Sequence, residues 1–318
     1  MPADSLTVAD GSPDAHLQAV RRLIARHKTL DWLFGLLGVA ALMFAMLVFA
    51  MLFGQMLVNG FPHLSWDFFT SFPSRRAASA GILSAWVGTI LVMLVTAVVA
   101  VPLGVGAGIY LEEYAPKNLL TDIIEINVTN LAGVPSIIYG LLALGLFVYQ
   151  FGLGQSIAAA GLTLALLILP VVIVATREAI RTIPQQIREG AYACGATKWQ
   201  VVSHHIVPYS LPGIMTGVII GLARAIGETA PIITIGALTF IAFLPPSPFG
   251  NPGHLISFDW LTAPFTVMPI QMFNWISRPE AAFQANAAAA GLVLVVMTLS
   301  MNAIAIWIRY YFRKRIKW

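Results

Sequence analysis

Six long apolar stretches constrain this chain more than any other feature of its sequence. They cover residues 32–57, 80–108, 134–151, 155–175, 213–243 and 286–308. A helix needs about 20 apolar residues to cross the hydrocarbon core of a bilayer, and only helices or closed barrels satisfy their own backbone in lipid. The stretches are too long and too uniformly apolar for barrel strands. The sequence therefore predicts an all-α, polytopic transmembrane bundle with six spans.

The composition also favours a membrane protein. Hydrophobic residues make up 58% of the chain and charged residues 10%, with a mean hydropathy of +0.82, whereas a soluble domain has about a quarter charged residues. The first apolar stretch begins at residue 32 and is too long for the core of a cleaved signal, so it is predicted to remain as a span. The single cysteine, Cys194, excludes an intrachain disulfide.

Basic residues are concentrated in alternate connections between the predicted spans. They precede the first span, separate the fourth from the fifth and follow the last: Arg21, Arg22, Arg26, Lys28, Arg177, Arg181, Arg188, Lys198, Arg309, Arg313, Lys314, Arg315 and Lys317. The opposite connections hold only Arg75, Arg76 and Arg278. The positive-inside rule then predicts that both termini are cytoplasmic. Glu112 and Glu113 fall on the same predicted side, where we interpret them as a solvated helix end.

Two connections between spans have a distinct character. TREAIRTIPQQIREGAYACGATKWQ, from residue 176, predicts a helix, a break at Pro184 and a second helix on the cytoplasmic side. Residues 244–284, on the opposite side, are rich in proline, glycine and aromatic residues and predict an ordered cap. The first 19 residues are polar and are predicted to be mobile.

The cytoplasmic connection carries a motif known from transporters. Glu189-Gly190-Ala191, followed by Gly195 and then by HIVP at 205–208, resembles the EAA motif of importer-type ABC transporter permeases, E-A-A-x3-G-x9-I-x-L-P. Gly190 stands where the motif has alanine, and His205 and Val207 stand where it has isoleucine and leucine.

Other stretches extend this resemblance over residues 75–318. VGAGIYLEEYAPKN, NLAGVPSIIYGL, REGAYACGATKWQVV and ARAIGETAPIITIGA resemble, in order and spacing, the PstA-type permeases of phosphate-importing ABC transporters. The resemblance implies a type I (MetI-like) ABC importer permease fold in the bacterial plasma (inner) membrane. Residues 1–30 would then be a polar cytoplasmic N-terminus, 31–58 the first transmembrane helix, and 75–318 the permease domain with a cytoplasmic coupling loop at 178–212.

The resemblance also implies the partners. They are a second homologous permease (PstC type), a dimer of ATPase subunits (PstB type) that binds ATP and Mg, and an extracytoplasmic phosphate-binding protein (PstS type). No cofactor is then expected in this chain. The resemblance assigns the contact with the ATPase to residues of the coupling loop: Glu189, Gly190, Ala191, Gly195, Ala196, Lys198 and Trp199.

The sequence holds no motif for chemistry of its own. G-x-x-x-x-G-K-[ST] is absent from it, as are G-x-S-x-G, H-E-x-x-H and any Cys/His cluster with metal-ligand spacing. Neither a catalytic nor a metal site is predicted, and energy must come from a partner. Two alternatives stay open: a permease of the same architecture for another oxyanion or small solute, and an ATP-independent membrane protein such as a channel or an enzyme.

Two charged residues interrupt the fifth apolar stretch, in GLARAIGETAPII at 221–233. A charge at the centre of a bilayer costs about 2.5 to 3.5 kcal/mol on insertion scales, so Arg224 and Glu228 are predicted to face inward. At positions i and i+4 they share one helical face with Gly217 and Gly221, whose small size leaves space for a cavity. Pro231 is predicted to kink the helix.

Arginine suits phosphate because its planar fork donates two parallel hydrogen bonds. Arg224 is therefore a candidate contact for the crossing anion, and the alternative is a purely structural Arg224–Glu228 pair. Glu228 could accept a hydrogen bond from the protonated oxygen of hydrogen phosphate while repelling fully ionised sulfate. Thr229 and Ser136 are weaker candidates on the pathway, because such hydroxyls more often bond to their own helix.

Overall fold

The computed structural model describes residues 13–247 and 257–315, with side chains described for 27–247 and 257–311. Within these ranges the regular structure is helical, which confirms the predicted all-α class. The α-helices are α1 (Pro13–Gly60), α2 (Trp66–Thr70), α3 (Leu83–Ile109), α4 (Leu119–Leu131), α5 (Ser136–Ala143), α6 (Ile157–Arg181), α7 (Gln185–Ala193), α8 (Lys198–Val201), α9 (Val207–Gly227), α10 (Ala230–Ile235), α11 (Met268–Ile276) and α12 (Ala281–Arg315).

Three wider, π-helical turns join or prolong these helices. Tyr110–Tyr114 continues α3, Leu144–Gln150 continues α5, and Val202–Ile206 joins α8 to α9. As a result, Leu83–Tyr114 and Lys198–Gly227 each form one long helical segment. Such turns occur mostly inside α-helices and often at functional positions.

The described residues contain five helical segments that are long and apolar enough to cross a membrane: His27–His63, Leu83–Tyr114, Ile157–Arg181, Lys198–Gly227 and Ala281–Tyr311. A sixth crossing results if Leu119–Leu131 and Ser136–Gln150, which meet at 107°, count as one bent span. The chain divides into two compact units, Met1–Gln55 and Met56–Trp318. The first contains most of α1, whose apolar side chains are exposed.

In the second unit, glycine allows α3 and α6 to pack closely. A β-carbon added at Gly104 would lie 2.7 Å from Cγ1 of Val172, and one added at Gly108 would lie 2.6 Å from Cβ of Thr176. Thr96 adds a hydrogen bond from its hydroxyl to the carbonyl of Gly161, at 3.2 Å. Small residues at helix contacts are the usual means of packing in membranes, because hydrocarbon does not drive helices together.

The segment that follows α10 packs into the same unit. Trp260, Phe265, Met268 and Trp275 are buried, and the Leu238 amide donates to the Phe265 carbonyl at 3.1 Å. The part of the predicted cap at 257–276 is therefore ordered and built around aromatic and apolar anchors. Residues 248–256 of that cap lie outside the described residues.

Two predicted spans differ from the observed helices. The third, 134–151, begins at Ser136 and ends at Gln150, and its 15 residues rise by at most about 23 Å at 1.5 Å per residue, which is less than the hydrocarbon thickness of about 30 Å. The prediction of one continuous span at 213–243 is wrong. That helix begins at Lys198 and ends at Gly227.

Candidate functional site

The break after α9 sets the geometry around the two charges. Glu228 has an extended backbone, with φ −75° and ψ 125°, and the chain resumes as α10 until Gly236, which is left-handed at φ 95°. Pro231 has no N–H to donate to the carbonyl of Gly227, which favours a break at this place. The prediction that Arg224 and Glu228 share the face of one continuous helix is therefore wrong.

The two side chains nevertheless form an ion pair. Nε of Arg224 donates to Oε1 of Glu228 at 3.2 Å, with 38% of the arginine side chain and 19% of the glutamate side chain exposed. A guanidinium has five N–H donors, and among the described residues this Nε contact is the hydrogen bond found for Arg224. Its two Nη groups remain available to a ligand.

The space that Gly217 and Gly221 were predicted to leave beside the guanidinium does not exist. Both glycines are buried against α6, where added β-carbons would meet Ala175 and Ile168. They permit α9 to approach α6, whereas Arg224 is exposed. Glu228 instead lines a small cavity that is otherwise mostly apolar.

The remaining pathway candidates lie at the two interrupted helices. Ser136 is the first residue of α5, and Thr229 precedes α10 without capping it through its side chain. Both are half-buried. No sequence pattern indicates a role for Tyr139, whose hydroxyl donates to the Leu131 carbonyl at 2.7 Å across the α4–α5 bend. The next residue, Gly140, allows α5 to contact Pro231 of α10.

The predicted coupling residues lie on a compact pair of short helices, residues 185–201, which we call the α7–α8 segment. The predicted break at Pro184 is present, and α7 begins at Gln185. Gly195 turns the chain between the helices at φ 81°, a conformation that glycine adopts at no steric cost. The side chains of Ala191 and Ala196 pack inward, while Glu189, Gly190, Lys198 and Trp199 are exposed.

A dense network of charges borders the α7–α8 segment. Nε of Arg177, on α6, donates to Oε2 of Glu112 at 3.3 Å, and its Nη2 lies 2.5 Å from Oε1 of Glu125 on α4. Nε of Arg181 also donates to Glu112, at 3.0 Å, and Nη2 of Arg181 lies 3.9 Å from Glu125. Glu112 thus joins the end of α3 to α6, and Glu125 joins α4 to α6.

Arg188 makes the link to α7. Its Nη2 donates to Oε1 of Glu113 at 2.7 Å, and its Nη1 donates to the carbonyl of Ile183 at 2.9 Å. The interpretation of Glu112 and Glu113 as a solvated helix end is wrong, since their side chains are only 19% and 8% exposed and both are paired. Partners 65 to 75 residues apart leave no local signal in the sequence.

A polar cavity of about 380 Å³ opens beside this network, between α4 and α6. Its lining includes Glu125, Thr129, Asn130, Arg177 and Arg181. Among the described residues no group of three His, Cys, Asp or Glu side chains could hold a metal ion. Among the described residues, the second unit thus contains an open ion pair at a broken span and a partly buried network of ion pairs near the α7–α8 segment.

Comparison with curated proteins identifies relatives along most of the chain. The probable ABC transporter permease protein YqgI of Bacillus subtilis is 31% identical over 287 residues, which cover 89% of this chain and 95% of the relative. The phosphate transport system permease protein PstA 1 of Mycobacterium tuberculosis is 32% identical over 74% of this chain and 73% of its own length. PstA of Yersinia pestis is 30% identical over 85% of this chain and 86% of its own length.

Solved structures share the fold at low identity. A bacterial alginate ABC transporter in complex with a pentasaccharide-bound periplasmic protein matches with a TM-score of 0.62 and 14% identity, covering 88% of this chain and 94% of its own. The MetNI methionine ABC transporter in an inward-facing conformation matches with a TM-score of 0.55 and 17% identity, covering 71% and 93%. These matches confirm the predicted MetI-like fold of type I importer permeases.

The family assignment follows from the sequence itself. Residues 100–318 match the family of binding-protein-dependent transport system inner membrane components, and the resemblance to PstA-type permeases is confirmed by the relatives. Proteins of this architecture work with an ATPase and a substrate-binding protein. The chain belongs to this family and is a multi-pass inner-membrane permease subunit of an ABC importer.

Proposed function

We propose that this chain is the PstA-type permease subunit of an ATP-driven importer of inorganic phosphate and forms half of its translocation pathway. The observation that carries the proposal is the 30 to 32% identity to PstA permeases across 74 to 85% of the chain. The open ion pair at the end of α9 supports it, because an exposed guanidinium inside a candidate membrane span suits an anion that crosses there.

Arg224 is the proposed contact for the anion. Its Nε is held by Glu228, which orients the planar group and leaves the two Nη groups to face a phosphate oxygen pair. The break after Gly227 supports this role, since irregular backbone at membrane depth is tolerated where it is buried in protein or lines a water-filled cavity. Thr229 and Ser136, at the starts of α10 and α5, are proposed as additional hydroxyl contacts on the pathway.

The alternative for Arg224 is a structural pair with Glu228 that binds nothing. Charged side chains inside spans usually pair with one another or with backbone carbonyls. The 3.2 Å single contact and the 38% exposure of the Arg224 side chain favour a group that is available to a ligand. Glu228 is then proposed both to hold Arg224 when the pathway is empty and to repel fully ionised sulfate.

The α7–α8 segment is the proposed contact with the ATPase. The exposed Trp199, with 70% of its surface accessible, and the exposed Glu189 and Lys198 offer apolar and charged groups to a partner. Gly190, Ala191, Gly195 and Ala196 set the shape of the segment. Exposed aromatic side chains are frequent anchors of protein interfaces.

If the α7–α8 segment contacts the ATPase, the side of the membrane on which each connection lies follows. The α7–α8 segment and both termini lie in the cytoplasm, and the part of the chain at 257–276 lies on the outer side. Residues 1–30 form the polar N-terminus, 31–58 the first span, and 75–318 the permease domain. ATP and Mg bind to the partner ATPase, and this chain holds no cofactor.

The proposed partners complete the transporter: a second permease of the PstC type, an ATPase dimer of the PstB type and a phosphate-binding protein of the PstS type. ATP binding closes the ATPases and pushes on the α7–α8 segment, which opens the translocation pathway outward, and hydrolysis resets it inward. Binding to Arg224 must be weak, because a tightly held anion would not leave.

ATP-dependent uptake of labelled phosphate by the assembled complex in proteoliposomes tests this function. Wild-type protein should accumulate phosphate in preference to sulfate and molybdate, and only with ATP. Arg224→Gln should abolish uptake while the complex remains assembled, whereas the control Arg278→Gln should retain it, because Arg278 stacks on Phe283 outside the proposed pathway.

Three outcomes would contradict parts of the proposal. Uptake without ATP would refute the coupled mechanism, and preference for another oxyanion would change the substrate. Loss of the assembled complex in Arg224→Gln would assign Arg224 the purely structural role.

A further inference from the structure

We infer that Arg188 and Glu113 are positioning residues that fasten the α7–α8 segment to the ends of α3 and α6, so that a push on this segment moves both helices as one body. This inference rests on the proposed function, in which the ATPase pushes there. It concerns residues outside the EAA-like motif and adds a mechanical role that the motif itself does not define.

The contacts of Arg188 reach three separate elements. The residue lies on α7, and Nε and Nη2 both donate to Oε1 of Glu113, at 3.1 and 2.7 Å. Nη1 donates to the Ile183 carbonyl at 2.9 Å and Nη2 to the Ile180 carbonyl at 3.3 Å. Ile180 lies in the last turn of α6, where acceptors lack the partners of a continuing helix, and its carbonyl also accepts from the Ile183 amide at 3.1 Å. The Arg188 guanidinium therefore links three elements: it donates to the end of α6, pairs with Glu113 at the end of α3, and belongs to a residue of α7.

Two further contacts restrict movement at the place where the α7–α8 segment meets the ends of α3 and α6, which we call the joint. The ammonium of Lys198, on α8, lies 5.0 Å from the ring centre of Tyr114, which directly follows Glu113 in the turn that continues α3. Beneath the charges, Ile180, Ile183, Val201 and Ile206 form a buried apolar cluster. The α7–α8 segment thus has charged, aromatic and apolar attachments to one place, which leaves it little freedom to tilt alone.

Close packing carries a displacement further along the spans. The glycine contacts at Gly104 and Gly108 let α3 and α6 touch along their length. Similar contacts join α6 to α9, where a β-carbon added at Gly213 would lie 2.7 Å from Cβ of Ala179. The opposite end of α9 carries Arg224. Close-packed interiors transmit strain because they compress little, so movement of the joint reaches the broken span through direct contacts.

Helix α4 is attached to the same body by one close ion pair. Nη2 of Arg177 lies 2.5 Å from Oε1 of Glu125 on α4, whereas Nη2 of the second partner, Arg181, lies 3.9 Å from Glu125 and the Arg181 side chain is 46% exposed. The polar cavity of about 380 Å³ lies between α4 and α6. The body that moves with the α7–α8 segment is therefore α3 with α6, and α4 is attached to it through the Arg177–Glu125 pair.

The ratio of phosphate transported to ATP hydrolysed tests the joint in the reconstituted complex. Glu113→Gln should keep assembly and ATP hydrolysis, while this ratio falls about tenfold. The double variant, Glu113→Gln with Arg188→Gln, should lower the ratio no further than the stronger single variant, because the two substitutions remove the same Arg188–Glu113 contact. The matched control is Glu178→Gln, which removes a carboxylate with 63% exposure from the same network and should leave the ratio unchanged.

An unchanged ratio in Glu113→Gln, or equal falls in hydrolysis and uptake, would overturn the inference. Should Glu113→Gln fail to assemble, Arg188→Lys decides, since it keeps the charge but loses the forked contacts, and an unchanged ratio in that variant would likewise overturn the inference.

A second measurement does not depend on the solute. Upon ATP binding, amide hydrogen exchange should change together at 110–114 and 185–201 in wild type, and only at 185–201 in Glu113→Gln. If wild type shows this joint change without phosphate uptake, the phosphate assignment fails and the joint stands. If exchange at 110–114 does not respond to ATP in wild type, the joint is refuted.

Discussion

Among the described residues, two groups of ion pairs between arginine and glutamate side chains are built in different ways. At the end of α9, Arg224 has one carboxylate partner at 3.2 Å and a side chain that is 38% exposed. Near the α7–α8 segment, the side chain of Arg177 is only 6% exposed and lies between two carboxylates, Glu112 and Glu125. Under the proposed function, the number of partners, and not the presence of charge in a span, separates a group that binds a ligand from a group that holds helices together.

Stability should distinguish the two groups most clearly. Arg177→Met leaves Glu112 and Glu125 without a buried partner, so we expect the free energy of unfolding to fall by about 3 to 5 kcal/mol. Arg224→Met breaks a half-exposed pair and should cost less than about 1 kcal/mol. Unfolding of the purified complex by titration with a denaturing detergent measures both. Equal losses of unfolding free energy in the two variants would remove the distinction between the open pair and the buried network.

Selectivity should respond next, and only to the open pair. Glu228→Gln removes the negative charge proposed to repel sulfate, so sulfate should compete with phosphate uptake about tenfold better, equal to about 1.4 kcal/mol. The control Asp67→Asn, an exposed acid on α2, should not change competition. A Glu228→Gln transporter that still excludes sulfate would place selectivity entirely in the binding protein.

The smallest effect should come from the edge of the network. Tyr114→Leu removes the ring beneath Lys198 and should cost about 0.5 to 1 kcal/mol in the same detergent titration. Tyr114→Phe keeps the ring and loses a hydroxyl that has no hydrogen-bond partner among the described residues, so it should be neutral. A loss of stability in Tyr114→Phe as large as that in Tyr114→Leu would show that the ring contact with Lys198 contributes little.

Much of the fold could be predicted from apolar length alone. The spans at 32–57 and 286–308 fall within observed helical segments, and those at 80–108 and 155–175 begin only two or three residues before theirs, because crossing a bilayer leaves few other solutions for the backbone. Hydropathy failed at 213–243, where the apolar character continues past Gly227 but the helix does not. Pro231 removes the donor that the Gly227 carbonyl would need, without changing the hydropathy.

The charges at the candidate site were only partly predictable. Arg224 and Glu228 stand out in the sequence because a charge in an apolar stretch is rare. Their surroundings could not be predicted in the same way, since Gly217 and Gly221 form the contact with α6 and leave no space beside the charges. The network near the α7–α8 segment was missed altogether. In the sequence its arginines are explained by the positive-inside rule alone. Their pairing with Glu112 and Glu113 depends on how α3 and α6 lie side by side, which the sequence does not reveal.

The bend of 107° between α4 and α5 has a consequence for how the protein experiences its lipid. If α5 stands along the membrane normal, α4 lies closer to the plane of the bilayer, with exposed Leu119, Leu120 and Ile123 on a helix that also carries the exposed Asp122. An amphipathic helix in that plane responds to the curvature and surface charge of one leaflet. The lipid of a single monolayer then contacts the helix whose Glu125 pairs with Arg177 of α6.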